Sequence, residues 1–249
     1  MSGTTPVLEL QGLTKRFGGL CAVSDVDLSI AFGERHGILG PNGAGKTTLF
    51  NLICGVYPPT LGKVLLNGCD VSAAPIHERV RAGIGRTFQI TNLFQEMTVL
   101  ENVMLATGMV TGESRAFLRD KSALTNSLAR AREHLDALGL RDLQDWRVRE
   151  LGYGQQRQVE LVMALALQPK VLLLDEPTAG LSPVETKSMA GFIKSLPDFQ
   201  TILMIEHDLD VIFDVVDEMT VMHRGEVICE GDCDHVGRSP VVAEVYIGG

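Results

Sequence analysis

The sequence predicts an α/β protein in which strands come first, a helical lobe is inserted, and a core of parallel strands then resumes. Three observations carry this expectation. The glycine-rich stretch Gly40-Pro41-Asn42-Gly43-Ala44-Gly45-Lys46-Thr47-Thr48 directly follows the short apolar run Gly37-Ile38-Leu39. Two uninterrupted apolar runs, Val171 to Leu174 and Ile202 to Ile205, have the character of parallel strands covered on both faces. Between about Thr98 and Leu140 the apolar spacing changes to that of a helix.

Taken in order, Val7-Leu8-Glu9-Leu10 and Val23 to Ile30 alternate apolar and polar residues, so residues 7–36 are expected to be strand-rich. A helix is expected from Thr48 to Ile53, after the glycines. Pro58-Pro59-Thr60-Leu61-Gly62 reads as a turn, and Lys63 to Leu66 as a short strand ended by Asn67-Gly68. In the lobe, Val99, Leu100, Val103 and Met104, then Leu124, Leu128, Ala131, Leu135 and Leu138, mark helices that stop at Gly139. Thr220 to Ile228 is expected to form a hairpin. The expected division of a single domain is 1–89 for the strands and glycine-rich loop, about 90–165 for the helices, and 166–249 for the returning core.

The stretch from Gly40 to Thr48 has the G-x-x-x-x-G-K-T pattern of a phosphate-binding loop. Its glycines let successive N–H groups turn inward around an anion, and the helix that follows points its positive end at the same place. Lys46 supplies a charge toward the β and γ oxygens of a triphosphate, and Thr47 a hydroxyl for Mg2+. Asp175 and Glu176 stand where an apolar strand runs out, the edge at which open α/β sheets bind ligands. There Asp175 can hold Mg2+ through water, and Glu176 can orient and polarise the attacking water.

Composition narrows the function classes. With 249 residues, 45% of them hydrophobic, the chain can bury one large core. The formal charge of −9 (22 basic, 31 acidic) comes without a basic cluster, which argues against a nucleic-acid surface. The odd, scattered set of five cysteines suits reduced thiols in a cytosolic protein, and Cys229 and Cys233 lack a second pair of ligands for a metal. Met1 to Pro6 shows no export signal, and the richest apolar stretch, Val159 to Leu174, is broken at Gln168-Pro169-Lys170. A role in a membrane process would need another chain to do the spanning.

Several spaced motifs together resemble the ATP-binding-cassette (ABC) transporter ATPases over essentially the whole chain. They are Gly40 to Thr48, Leu174-Asp175-Glu176-Pro177-Thr178, Arg86-Thr87-Phe88-Gln89 in the place of the Q-loop, Leu151-Gly152-Tyr153-Gly154-Gln155 in the place of the signature, and His207 in the place of the switch histidine. The resemblance implies a P-loop NTPase core with an N-terminal antiparallel β-subdomain and an inserted α-helical subdomain. It implies ATP and Mg2+ as cofactors, with ATP held by Gly40, Asn42, Gly43, Ala44, Gly45, Lys46, Thr47 and Thr48. Phe17 would stack on the adenine with Val23 packed beside it, although a strand aromatic is also an ordinary core residue. Gln89 would reach Mg2+ or the lytic water alongside Glu176 and His207. Leu93 to Val103 resembles the stretch that faces the membrane subunit, but its apolar residues are equally suited to packing inside the lobe.

In such proteins the signature motif, here Gly152, Gly154 and Gln155, reaches across a head-to-tail dimer to the partner's ATP. The usual Ser is replaced by Gly152, leaving backbone N–H groups around Gly152 and Gly154 and the dipole of a helix expected from Gln155 to Leu167. Ser182 stands where an acidic or amide residue is commoner. Tyr153-Gly154-Gln155-Gln156-Arg157 and Thr87-Phe88-Gln89 are similar to the branched-chain amino acid importer group. The implied partners are a second ATPase subunit, identical or paralogous, integral membrane permeases and, indirectly, a substrate-binding protein, at the cytoplasmic face of the membrane. A urea or amide importer, a lipopolysaccharide exporter and a soluble ABC ATPase outside transport remain open at this point.

Overall fold

The computed structural model describes residues 5–87, 93–111 and 125–247. The chain divides into two compact units, one of Met1–Arg86, Lys170–Glu176 and Pro197–Gly249, the other of Thr87–Pro169 and Pro177–Leu196.

In the first unit, β1 (Leu8–Phe17), β2 (Leu20–Ile30), β4 (Leu61–Leu66) and β5 (Cys69–Asp70) form an antiparallel sheet in the order β2-β1-β4-β5. Asn67 and Gly68 both have positive φ (48° and 75°), the geometry of the tight turn that joins β4 to β5. The second sheet, in the order β10-β9-β3-β8-β7-β6, contains β3 (Arg35–Leu39), β6 (Ile84–Arg86), β7 (Val171–Asp175), β8 (Thr201–Ile205), β9 (Glu218–His223) and β10 (Glu226–Asp232). Every pairing in it is parallel except the β9–β10 hairpin. Strands β7 and β8 are buried at all five positions, as their continuous apolar character requires.

The helix α1 (Lys46–Cys54) lies in the hydrophobic core that the two sheets share, with Leu49, Phe50, Leu52 and Ile53 fully buried. Burial of each such side chain contributes about 2 kcal/mol. The helix begins two residues before the expected Thr48, because Gly45 at φ 103° turns the chain directly into it. Its other end is closed by Gly55 and by Arg79 of α2 (Ile76–Ala82). The Arg79 guanidinium, 1% exposed, donates to the carbonyl oxygens of Leu52 (2.6 Å), Ile53 (2.8 Å), Ala74 (2.9 Å) and Ser72 (2.8 Å). A cation on the last carbonyls of a helix satisfies orphan acceptors and opposes the negative end of its dipole. The shorter helices α7 (Leu209–Val215), α8 (Cys233–Gly237) and α9 (Pro240–Ile247) complete this unit.

The second unit holds α3 (Val99–Thr111), α4 (Thr125–Ala137), α5 (Tyr153–Ala166) and α6 (Pro183–Lys194). Val99, Val103 and Met104 of α3 and Ala131 and Leu135 of α4 are buried at the expected helical spacing, and Gly139 (φ 69°) follows α4. Leu124 lies outside the described residues. Helix α5 begins at Tyr153 rather than Gln155, with Gly152 at its N-cap. Among the described residues no helix is long and apolar enough to cross a membrane.

Arg79→Met should remove the guanidinium donor from four carbonyl oxygens, of which Leu52 keeps the Gly55 N–H, and is expected to lower the unfolding free energy by about 3 kcal/mol, read from urea denaturation midpoints.

Candidate nucleotide-binding site

Strand register explains why residues far apart in sequence meet. Ile38 of β3 is level with Ile205 of β8, which is level with Asp175 of β7. The residues that follow these strands, Gly40 onward, Glu176 and His207, therefore emerge at one carboxyl edge of the sheet.

The loop after β3 is shaped by two glycines that admit no side chain. A Cβ on Gly40 (φ 149°) would stand 2.2 Å from the carbonyl oxygen of Met222, and one on Gly45 (φ 103°) 2.4 Å from that of Ala22. The turn between β9 and β10 braces the loop from behind. Gly225 N–H donates to the Ala44 carbonyl (2.9 Å), and Ser24 N–H to that of Gly225 (2.8 Å). Lys46 is 7% exposed and folds back, its ammonium donating to the carbonyl oxygens of Gly40 and Pro41. Burial holds its pKa below the ordinary lysine value, while the charges of Glu176 and Asp175 act the other way.

Asn42 to Thr48 and Glu176 line a cavity of about 570 Å³, whose remaining wall is Leu20, Cys21, Ala22 and Arg224. Sequence reasoning had not singled out those last four residues. Arg224 (φ 51°) is carried to the cavity by the β9–β10 turn, and no motif marks it.

Asp175, 2% exposed at the end of β7, accepts a hydrogen bond on Oδ2 from Arg86 Nη2 at 2.7 Å. Its Oδ1 is buried and has no hydrogen-bond partner. Glu176 has a left-handed backbone (φ 48°), which costs a non-glycine residue on the order of 1 kcal/mol. Its N–H donates to the Ile205 carbonyl (2.9 Å), so the sheet ladder holds this turn and its side chain lines the cavity. His207 is exposed, with Nδ1 3.9 Å from Glu176 Oε1 and 3.8 Å from Oε2 of the fully buried Glu206. Gln89 lies outside the described residues.

Val23 is fully buried in the core and does not line the cavity. The register is irregular near Lys15, where β1 meets Val23, and the β2 backbone at Asp25 turns to φ 51°. Phe17 is 43% exposed but does not line the cavity. Its ring packs edge-on against Tyr57 (5.3 Å between centroids), with the Lys15 ammonium 5.1 Å above it.

In the second unit, Gly152, Gly154 and Gln155 line a separate cavity of about 180 Å³ together with Gln158 and Glu185. Of the two N–H groups expected to stand free there, Gly152 N–H is engaged, donating to Gln155 Oε1 (3.1 Å), and the Glu185 side chain lies beside Gly154. Ser182, the residue that departs from the common pattern, is the N-cap of α6, and its hydroxyl donates to Glu185 Oε2 (2.6 Å). These contacts, first from the Ser182 hydroxyl, hold the Glu185 pKa below the usual carboxylate value.

The donor set suits a nucleotide with Mg2+. Among the described residues no group of three or more His, Cys, Asp or Glu could hold a metal by itself. Mg2+ commonly takes only one or two protein ligands and completes its shell with phosphate and water, and the orphaned Asp175 Oδ1 is a site of that kind.

The ABC transporter family profile matches residues 23–179. The chain belongs to the ABC transporter family. It is 38% identical over 98% of its length to the high-affinity branched-chain amino acid transport ATP-binding protein LivG of Escherichia coli, of which it covers 98%. It superposes on the ADP conformation of MJ1267, an ATP-binding cassette of an ABC transporter, with a TM-score of 0.84 and 32% identity, covering 99% of this chain and 100% of that one. A dimeric post-hydrolysis state of the cassette MJ0796, bound to ADP and Pi, aligns with a TM-score of 0.73 and 28% identity over 90% of this chain and 98% of that one. The fold is thus that of an ABC ATPase cassette, an α/β core with an antiparallel sheet and a helical unit.

Because Gly45 combines positive φ with a carbonyl 2.4 Å from any Cβ, Gly45→Ala is expected to weaken binding of a fluorescent ATP analogue by at least about a hundredfold. Gly43→Ala, with open space around its Cβ, is expected to weaken it less.

Proposed function

We propose that this chain is the ATP-binding and ATP-hydrolysing subunit of an importer of branched-chain or other hydrophobic amino acids, working as a pair that powers separate membrane permeases. The observation that carries the substrate class is the identity to LivG over 98% of both chains. In this reading the subunit lies at the cytoplasmic face of the membrane, held there by the permeases. A substrate-binding protein delivers the amino acid, and nucleic acid plays no part.

The ATP phosphates lie along Gly40 to Thr48, where loop N–H groups and the N-terminus of α1 face them. Lys46 exchanges its two carbonyl partners for phosphate oxygens, a stronger, charge-assisted contact. Mg2+, when bound, offsets charge on the β- and γ-phosphates, with Thr47, Gln89 and, through water, Asp175 as the residues that hold it. Glu176 accepts the proton of the water that attacks the γ-phosphorus as the bond to the ADP oxygen breaks. His207, beside Glu176, contacts the γ-phosphate and registers its loss. Gly152, Gly154 and Gln155 of a second copy complete the site.

The reading is tested in cells lacking the gene. Uptake of labelled leucine, isoleucine and valine should fall and be restored by the wild-type chain but not by Glu176→Gln. Loss of urea or short-amide uptake instead would overturn the substrate class. In vitro, Glu176→Gln should stay dimeric at saturating ATP and Mg2+ by light scattering, with ATP turnover reduced at least about a hundredfold. Gly152→Ser meets no side-chain clash, since the nearest atom to its Cβ is 3.8 Å away, and adds one hydroxyl at the signature. It is expected to tighten ATP-driven dimerisation by roughly fivefold, measured by sedimentation.

A further inference from the structure

Arg86 divides its guanidinium between two elements. Nη2 donates to Asp175 Oδ2 at 2.7 Å and Nη1 to Asn51 Oδ1 of α1 at 2.8 Å. Arginine commonly grips a carboxylate with two parallel bonds that occupy both oxygens. Here the split fork occupies one oxygen only, and the other, Oδ1, is buried without a partner. The hold is short and sheltered, with the Arg86 and Asp175 side chains 13% and 1% exposed. Asn51 stands one helical turn beyond Thr47, so the same arginine ties the carboxylate to the helix that carries the Thr47 hydroxyl.

We propose that Arg86 is a positioning residue that biases the metal preference of the nucleotide site by leaving Asp175 a single oxygen free of hydrogen bonds. Mg2+ requires near-octahedral geometry, keeps waters and uses carboxylates one oxygen at a time. Ca2+ accepts more ligands and often takes both oxygens of one carboxylate. With Oδ2 held by Arg86, Asp175 presents one unshared oxygen, enough to hold a water of the Mg2+ shell, whereas ligating Ca2+ through both oxygens would make the metal share Oδ2 with the guanidinium. The guanidinium also keeps the carboxylate from turning when no metal is present. The inference rests on the proposal that Asp175 faces the magnesium of bound ATP.

The test is the affinity of the full chain for a fluorescent ADP analogue in EDTA, in Mg2+ and in Ca2+. For Arg86→Met, metal-free affinity should stay within about twofold of wild type while the ratio of Mg2+ to Ca2+ affinities falls at least about fivefold. Arg86→Lys, which keeps a charged donor on Oδ2, should restore most of that ratio. An unchanged ratio, or a metal-free affinity that falls in step with the others, would overturn the inference. Arg86→Gln serves in the same way should Arg86→Met fail to fold, because its neutral amide is too short to span Asn51 and Asp175. Asp175→Asn separates the two levels. Metal dependence undiminished from wild type in Asp175→Asn sinks the reading of the site, whereas dependence weakened there with a Mg2+ to Ca2+ ratio unaltered in Arg86→Met sinks only the role given to Arg86.

Discussion

The nucleotide end of this molecule depends on a short buried helix whose last carbonyls are satisfied and whose first turn has no side-chain cap. Helix α1 has nine residues, too few to be stable alone in water, so its geometry comes from what surrounds it. Its apolar residues lie in the core between the two sheets. The first turn leaves N–H groups directed at the glycine-rich loop, and the last carbonyls are taken by Arg79. Fixing the C-terminal end this way aims the N-terminal end, because a nine-residue helix in a packed core has little freedom to tilt. The flank is tied as well, through Asn51 to Arg86 and on to Asp175. The loop, the helix and the carboxylate strand thus form one braced assembly.

Charge at the sheet edge is arranged around that assembly. Lys46, Asp175, Glu176, Arg86, Glu206 and His207 come from four segments of the chain, and the strands that lead to them, β3, β8, β7 and β6, are consecutive parallel neighbours in the sheet. Two carboxylates on adjacent residues would ordinarily point to opposite faces of a strand. The left-handed backbone at Glu176 ends that alternation, leaving Asp175 in the buried row beside Arg86 while Glu176 turns to the cavity. Backbone strain at this position is what separates the surroundings of two neighbouring acids.

What could be read from sequence was what is encoded locally. The Gly40 to Thr48 loop, the Asn67-Gly68 turn, the two buried strands and the helical spacing of Val99, Val103 and Met104 each depend on a few consecutive residues, and their physical signals survive without a partner. The full burial of Val23 depends on the irregular pairing of β1 with β2, which the alternation of Val26, Leu28 and Ile30 does not reveal. Arg79 gave no signal, and Arg86 none beyond its place in the Arg86 to Gln89 motif, since their partners lie 26 to 89 residues away apart from the local carbonyls of Ser72 and Ala74. Arg224 is brought to the cavity by a hairpin whose existence was legible but whose position against the loop was not.

The altered signature shows why a motif residue can change without a change of fold. A Ser at the N-cap of α5 would satisfy an orphan N–H of the first turn, a role worth only a few tenths of a kcal/mol over Gly. In this chain Gln155 reaches back to the Gly152 N–H, which is one half of a capping box, and Glu185 of α6 lies beside Gly154. The helix start is therefore supported in part from inside its own unit, and loss of the hydroxyl costs the fold little. Its loss falls on whatever docks at the helix end. Ser182 serves the same economy of contacts, because its hydroxyl fixes the Glu185 carboxylate that covers Gly154. The two departures from the common pattern, Gly152 and Ser182, thus act on one feature, the set of N–H donors presented at the start of α5, and are best understood as a linked pair.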